Sequence, residues 1–162
     1  MIQYISKIYL NGVIFLLRFF SDSAAATEAI AEKLGKTVKS GNVIAYFGGL
    51  GMGKTAFTRG LARGMGITAD VSSPTFAIVN DYGGNPPLVH FDMYKVDSWD
   101  DLYSSGFFDY LDMGAVLAVE WSENIENALP DDTIRVTIEQ GEKEDQRIIT
   151  IEGIDENENF SS

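Results

Sequence analysis

The 162-residue chain contains no cysteine. That excludes disulfides, thiol nucleophiles and thiolate metal sites. It contains one histidine, His90, which excludes a multi-histidine zinc site. Basic residues are scarce: 12 Lys and Arg stand against 24 Asp and Glu, a net charge of −12. A bare surface of that sign repels phosphate backbones, so strong direct binding of nucleic acid is not expected. RNA would come close only through a protein partner or a local basic patch. Long uncharged apolar runs are also missing. Residues 1–20 are apolar but hold Lys7, Asn11, Gly12 and Arg18, whereas a membrane span needs about 20 mostly uncharged residues. The signal for a secretory leader is weak, because the apolar run after Lys7 breaks at Asn11. No membrane association and a cytoplasmic location are expected.

What is present is a glycine pattern. Residues Gly48-Gly49-Leu50-Gly51-Met52-Gly53-Lys54-Thr55 match G-x-x-x-x-G-K-[ST], the phosphate-binding P-loop. A chance match in a chain this long is on the order of one in a few hundred. The context is also right: residues 42–47 read as a short buried strand, and residues 55–65 as a helix with Phe57, Leu61 and Met65 at helical spacing. A triphosphate is a dense cluster of negative charge, and backbone N–H groups can surround it only where side chains do not intervene. Gly48, Gly51 and Gly53 remove those side chains and permit positive φ. The helix start, through Ala56, then points free N–H groups at the phosphates. Lys54 supplies a mobile charge to the β- and γ-oxygens, and the Thr55 hydroxyl is a hard oxygen ligand for Mg²⁺.

The rest of the chain reads as one domain, residues 13–154. Residues 1–12 are an N-terminal extension, a candidate for disorder. Residues 155–162 form an acidic tail expected to be disordered. Residues 14–20 read as the first strand. Ser21-Asp22-Ser23 offers an N-cap for an amphipathic helix over 24–38. Residues 76–82 and 88–94 read as strands around a turn at 83–87. Residues 99–111 look helical, with Gly106 as a weak point. Residues 115–121 form a continuous apolar strand ending at Glu120, and 133–139 with 147–151 form a hairpin. The expected fold is α/β: a P-loop NTPase-like sheet with a mostly parallel core, antiparallel edge strands, and helices on both faces.

A P-loop needs further acidic groups for Mg²⁺ and water. In open α/β sheets the ligand sits beyond the carboxyl ends of the strands, so Asp92 and Glu120 are the candidates. Glu120 reads as the Walker B carboxylate, on the metal directly or through water, or orienting the attacking water. A surface acid at a strand end is the plain alternative for both. Ser73-Pro74-Thr75 reads as a nucleotide-sensing loop or a simple polar turn. His90, among apolar neighbours, reads as packed and hydrogen-bonded before it reads as a general base. Trp121 reads as core before partner contact. Arg147 either helps to hold the nucleotide or is an exposed strand arginine.

Taken together, four stretches occur in the order and spacing of one family: the P-loop, Ser72-Ser73-Pro74-Thr75-Phe76, His90-Phe91-Asp92-Met93-Tyr94-Lys95 and Val119-Glu120-Trp121-Ser122-Glu123. Over residues 18–153 the chain resembles the bacterial TsaE (YjeE) family, ATPases that assist threonylcarbamoyl modification of adenosine 37 in tRNAs reading ANN codons. The resemblance implies Mg²⁺-dependent ATP hydrolysis, slow in isolation, and partnership with the TsaB and TsaD proteins, with tRNA met only through that complex. It implies that Lys54 and Thr55 are the phosphate and Mg²⁺ residues, Glu120 the Mg²⁺-binding glutamate, Asp92 the essential aspartate and Thr75 part of a switch-like loop. More loosely, it places Ser23 near the adenine and Arg147 near the nucleotide, ATP or ADP. Two departures stand out: Gly49 replaces a usual acid, and Lys95 replaces a usual arginine that could pair in bidentate fashion. A small-molecule P-loop kinase is an alternative reading, but the five scattered arginines form no lid-like cluster. A non-hydrolysing nucleotide sensor is another. No Asn-Lys-x-Asp segment favours a GTPase.

Overall fold

Val43–Phe47 and Val116–Glu120 are near-continuous apolar runs, and both faces of each strand are covered. The structure, a computed structural model, describes residues 3–10, 14–74, 78–154 and 160. In chain order the elements are β1 (Gln3–Leu10), β2 (Ile14–Ser21), α1 (Ala24–Gly35), β3 (Val43–Phe47), α2 (Lys54–Gly64), β4 (Val79–Gly84) and β5 (Pro87–Asp92). There follow α3 (Trp99–Ser104), α4 (Phe107–Asp112), β6 (Val116–Glu120), a 3-10 segment (Ser122–Ala128), β7 (Ile134–Gln140) and β8 (Arg147–Ile154). The strands form one eight-stranded sheet in the order β1-β2-β8-β7-β3-β6-β5-β4. The centre, β7-β3-β6-β5, is parallel, and the pairs β1–β2, β2–β8, β7–β8 and β4–β5 are antiparallel. The expected sheet is therefore what forms.

Period-two alternation splits the core between the two faces. Ile44, Tyr46, Leu88, Val116 and Ala118 pack with α1 and α2, through Ile30, Leu34, Phe57 and Leu61. Val43, Val89, Phe91, Leu117 and Val119 pack with Leu102, Phe107 and Ile125 from α3, α4 and the 3-10 segment. Phe57 and Leu61 are fully buried, each contributing about 1.5–3 kcal/mol of apolar burial. Among the described residues no helix is long and apolar enough to cross a membrane.

Several local expectations change. Residues 14–20 are not the first strand: Gln3–Leu10, within the expected extension, form β1 and pair with β2 from Gln3↔Phe20 to Leu10↔Ile14. The single helix expected over 99–111 is two short ones, because Gly106 adopts φ 85° and starts α4 as its N-cap. The expected turn at 83–87 narrows to residues 85–86, since β4 runs to Gly84 and β5 starts at Pro87. Of the tail, only Phe160 lies among the described residues, and its ring packs 5.5 Å from that of Phe19.

The layer of α1 against α2 depends on two glycines one helical turn apart. A Cβ at Gly60 would collide with the Glu28 carbonyl oxygen and lie 2.8 Å from the Glu28 Cα; one at Gly64 would collide with the Glu32 carbonyl oxygen and lie 2.9 Å from the Gly35 Cα. Ion pairs flank the contact: Arg59 with Glu28 at 2.7 Å and Arg63 with Glu32 at 2.7 Å. In an open helix Gly→Ala stabilises by up to about 1 kcal/mol. Here Gly60→Ala is expected to destabilise by about 1–3 kcal/mol, because backbone must move. The denaturant midpoint checks the sign, and an unchanged or raised midpoint would contradict the close contact.

Candidate functional site

The loop of residues 48–53 leaves β3 and enters α2 through Gly53, which takes the left-handed conformation (φ 102°) and places no side chain over the helix start. The first intrahelical bond runs from Phe57 N–H to Gly53 O at 2.9 Å. The amides ahead of it carry the partial positive charge of the helix end and have no side-chain cap. At the other end of the loop, Gly48 has φ 136°, and a Cβ there would strike the Ile138 carbonyl oxygen of β7. Only glycine fits. Gly49, Leu50 and Gly51 are exposed, while Met52, Gly53, Lys54, Thr55 and Ala56 are half-buried. The cradle is thus open to solvent and lined by backbone.

Lys54 Nζ lies at the mouth of the loop, donating to Gly48 O at 3.1 Å. An ammonium has three donors, so this bond uses only one of them. Its charge also lies 5.7 Å from the centroid of the Trp121 ring. Trp121 takes a left-handed backbone (φ 58°), a conformation costing roughly 1–2 kcal/mol outside glycine. Bonds on either side hold it there: Met93 N–H to Glu120 O at 3.0 Å, Asn124 N–H to Trp121 O at 3.1 Å and Ser122 Oγ to Val119 O at 2.8 Å. The bend lays the ring 4.8 Å from that of Tyr94. Trp121 is half-buried beside the P-loop. The sequence signal for this placement was only its position next to Glu120.

Parallel pairing delivers the acids. β3 pairs with β6 from Val43↔Leu117 to Ala45↔Val119, so Glu120 emerges at the end where β3 gives way to the loop. β5 pairs with β6 to Asp92↔Glu120, which sets the two carboxylates on neighbouring strands at one register position. Glu120 is only 6% exposed. Its Oε1 lies 3.1 Å from His90 Nε2. Asp92 is half-buried, and its Oδ1 accepts the Tyr94 N–H at 2.9 Å. His90 is fully buried, packed edge-on to Tyr46 and bonded to Glu120. Thr58 Oγ1 of α2 lies 2.8 Å from the Tyr46 hydroxyl and 2.9 Å from Lys54 O. Burial pushes the Tyr46 phenol well above its ordinary pKa, and the Glu120 charge pushes the same way. This polar layer supports the first turn of α2 from beneath.

Arg147 reaches the loop from β8. Its Nε donates to Met52 O at 3.1 Å, its Nη2 to Gly51 O at 3.3 Å, and its Nη1 to Glu144 O and Gln146 O at 2.6 and 2.7 Å. Arg147 is thus not a free strand arginine: its donors grip loop carbonyls. Ser21 is the register partner of Arg147, which brings the 21–23 turn to the same end of the sheet. The Ser23 hydroxyl is occupied as the α1 N-cap, accepting the Ala26 N–H at 3.1 Å. Ser73 and Pro74 follow Ser72, whose carbonyl accepts the Tyr82 hydroxyl at 2.7 Å. Thr75 lies outside the described residues.

The donors suit a magnesium ion. Among the described residues there is no cluster of three or more His, Cys, Asp or Glu side chains that would cage a metal alone. The Thr55 hydroxyl and the Glu120 carboxylate are hard oxygens, and Mg²⁺ characteristically takes one or two such ligands together with substrate phosphates and waters.

Comparison with known proteins agrees with this geometry. The family model described as threonylcarbamoyl adenosine biosynthesis protein TsaE matches residues 21–149. The tRNA threonylcarbamoyladenosine biosynthesis protein TsaE of Bacillus subtilis is 39% identical over 129 residues, covering 79% of this chain and 80% of that one. Its namesake from Treponema pallidum is 33% identical over 122 residues, 75% of this chain and 90% of that one. The crystal structure of Bacillus subtilis YdiB superposes with a TM-score of 0.73 at 32% identity, covering 90% of both chains. With the family model spanning most of the chain and these relatives aligned over its length, the protein belongs to the TsaE family.

Proposed function

We propose that the chain is an accessory ATPase of tRNA threonylcarbamoyladenosine formation that binds Mg²⁺–ATP in the 48–55 loop and hydrolyses it in concert with TsaB and TsaD. The observation that carries this reading is the convergence of the bare α2 N-terminus, Lys54 and Glu120 at one end of the parallel sheet. Loop amides and the Lys54 ammonium hold the β- and γ-phosphates in place as negative charge shifts onto the leaving oxygen. Thr55 and Glu120 would hold Mg²⁺, which when bound supplies charge neutralisation across the β- and γ-phosphates. Asp92 spends one oxygen on the Tyr94 amide and has the other to align a water. The water oxygen bonds to the γ-phosphorus, the bond to the β–γ bridging oxygen breaks, and ADP and phosphate leave. tRNA is met through the partners, in keeping with the charge of −12.

A kinase reading is disfavoured by how the arginines are used. Arg59 and Arg63 pair with Glu28 and Glu32, Arg135 with Glu126, and Arg147 with the loop itself. A lid needs arginines free to swing onto phosphates. The test is ATP hydrolysis by the chain alone and with the TsaB–TsaD pair. Stimulation by the pair is expected; its absence would favour a passive nucleotide sensor.

Three substitutions follow from the geometry. Lys54→Ala is expected to abolish ATP binding or turnover, read by phosphate release; wild-type hydrolysis would contradict its role. Glu120→Ala is expected to reduce Mg²⁺-dependent hydrolysis far more than nucleotide affinity, with phosphate release compared against calorimetric titration. Equal losses would reject the metal role. Arg147→Ala frees two loop carbonyls, each bonded to a charged donor worth about 1.5–3 kcal/mol, so nucleotide affinity should fall about tenfold or more. Arg147→Lys should not restore it, since one ammonium cannot span both carbonyls. Unchanged affinity in either variant would show that the clasp is incidental.

A further inference from the structure

Glu120 is linked through one buried and one half-buried side chain to the loop that precedes Thr75. Its Oε1 lies 3.1 Å from His90 Nε2. A carboxylate only accepts, so the proton between them belongs to the imidazole. The other ring nitrogen, Nδ1, lies 3.4 Å from the Tyr82 hydroxyl. That hydroxyl donates its one proton to Ser72 O at 2.7 Å, and Asn80 Nδ2 approaches the same carbonyl at 3.4 Å. The His90–Glu120 bond is buried, so water does not readily replace it, whereas the Tyr82–Ser72 bond lies at the surface. The chain of contacts runs from β6 through β5 and β4 to residues 72–74, directly before Thr75.

We infer that His90 and Tyr82 are positioning residues that couple the Glu120 carboxylate to the Ser72–Pro74 loop. The inference rests on the reading of Glu120 as the Mg²⁺ carboxylate. His90 fixes the acid by Oε1, so the carboxylate need not be ordered when the metal arrives. Hydrogen-bonded partners of ligating groups commonly change metal affinity by 10–100-fold when removed. Tyr82 carries the link onward. Its single proton has two acceptors within reach, and the shorter bond, to Ser72 O, pins the loop. A shift of the His90 ring with Glu120 alters the distance from Tyr82 to Nδ1, and so the hold on Ser72.

The test exploits the fact that His90 is the chain's only histidine. In untagged protein its ring ¹⁵N and ¹H resonances are unambiguous. Adding Mg²⁺ with a non-hydrolysable ATP analogue should move them, and the analogue with EDTA should move them much less. Equal movement, or none with Mg²⁺, would overturn the coupling. In calorimetry, His90→Leu should weaken Mg²⁺-dependent nucleotide binding about tenfold or more while leaving metal-free nucleotide binding unchanged. His90→Gln, whose amide N–H can still reach Glu120, should recover most of the loss. Tyr82→Phe should keep the Mg²⁺ dependence but speed amide exchange at Ser73. A folded His90→Leu protein with wild-type Mg²⁺ dependence refutes the inference alone, provided that Glu120→Ala changes that dependence. If Glu120→Ala leaves it unchanged as well, the metal reading itself fails. If neither His90 variant folds, the wild-type resonances decide.

Discussion

A helix start left bare of side chains is the constraint on which the rest of the molecule depends. Exposed amides at the N-terminus of α2 carry uncompensated partial positive charge, and Gly53 keeps any side chain from satisfying them. An arrangement of this kind persists only if the surrounding structure fixes it. β3 anchors one end of the loop, Thr58 and the buried Tyr46 support the first turn of the helix, and Arg147 grips the Gly51 and Met52 carbonyls from β8. The loop is therefore held by two strands, β3 and β8, and one helix, α2, as well as by its glycine pattern.

The sheet's order brings charged side chains to that cradle. Because β3 lies between β7 and β6, the loop after β3 has Gly48 wedged against Ile138 on one side and Glu120 emerging on the other. β5 then places Asp92 beside Glu120. Two acids next to each other and an ammonium at the mouth are the arrangement on which the proposed metal–triphosphate site rests. The left-handed Trp121 fits the same picture: a residue held in a costly conformation where a strand ends at a functional site, with its ring turned toward Lys54.

Local features were readable in the sequence and long-range ones were not. The P-loop, its strand and its helix are encoded within about one βα unit, and the periodicities of β3, β6, β7 and β8 gave a parallel core with antiparallel edges. Gly106 was visible as a weak point, but whether a helix survives it depends on whether that residue turns left-handed. β1 was missed because Gln3–Leu10 carries no pattern distinct from an extension until its pairing with β2 is known. The His90–Glu120 contact joins residues 30 apart, and the Arg147–Met52 contact residues 95 apart. No spacing rule reaches that far. The sequence left Arg147 between a nucleotide contact and an exposed strand arginine, and the fold shows that its donors hold the loop.

The most direct test is a crystal structure of the chain with Mg²⁺ and a non-hydrolysable ATP analogue. The triphosphate should lie against the amides of residues 48–55, with Lys54 swung from Gly48 O onto the phosphates and the metal between the Thr55 hydroxyl and Glu120. An analogue bound elsewhere, or a cradle that stays empty at saturating nucleotide, would contradict the assignment at its root.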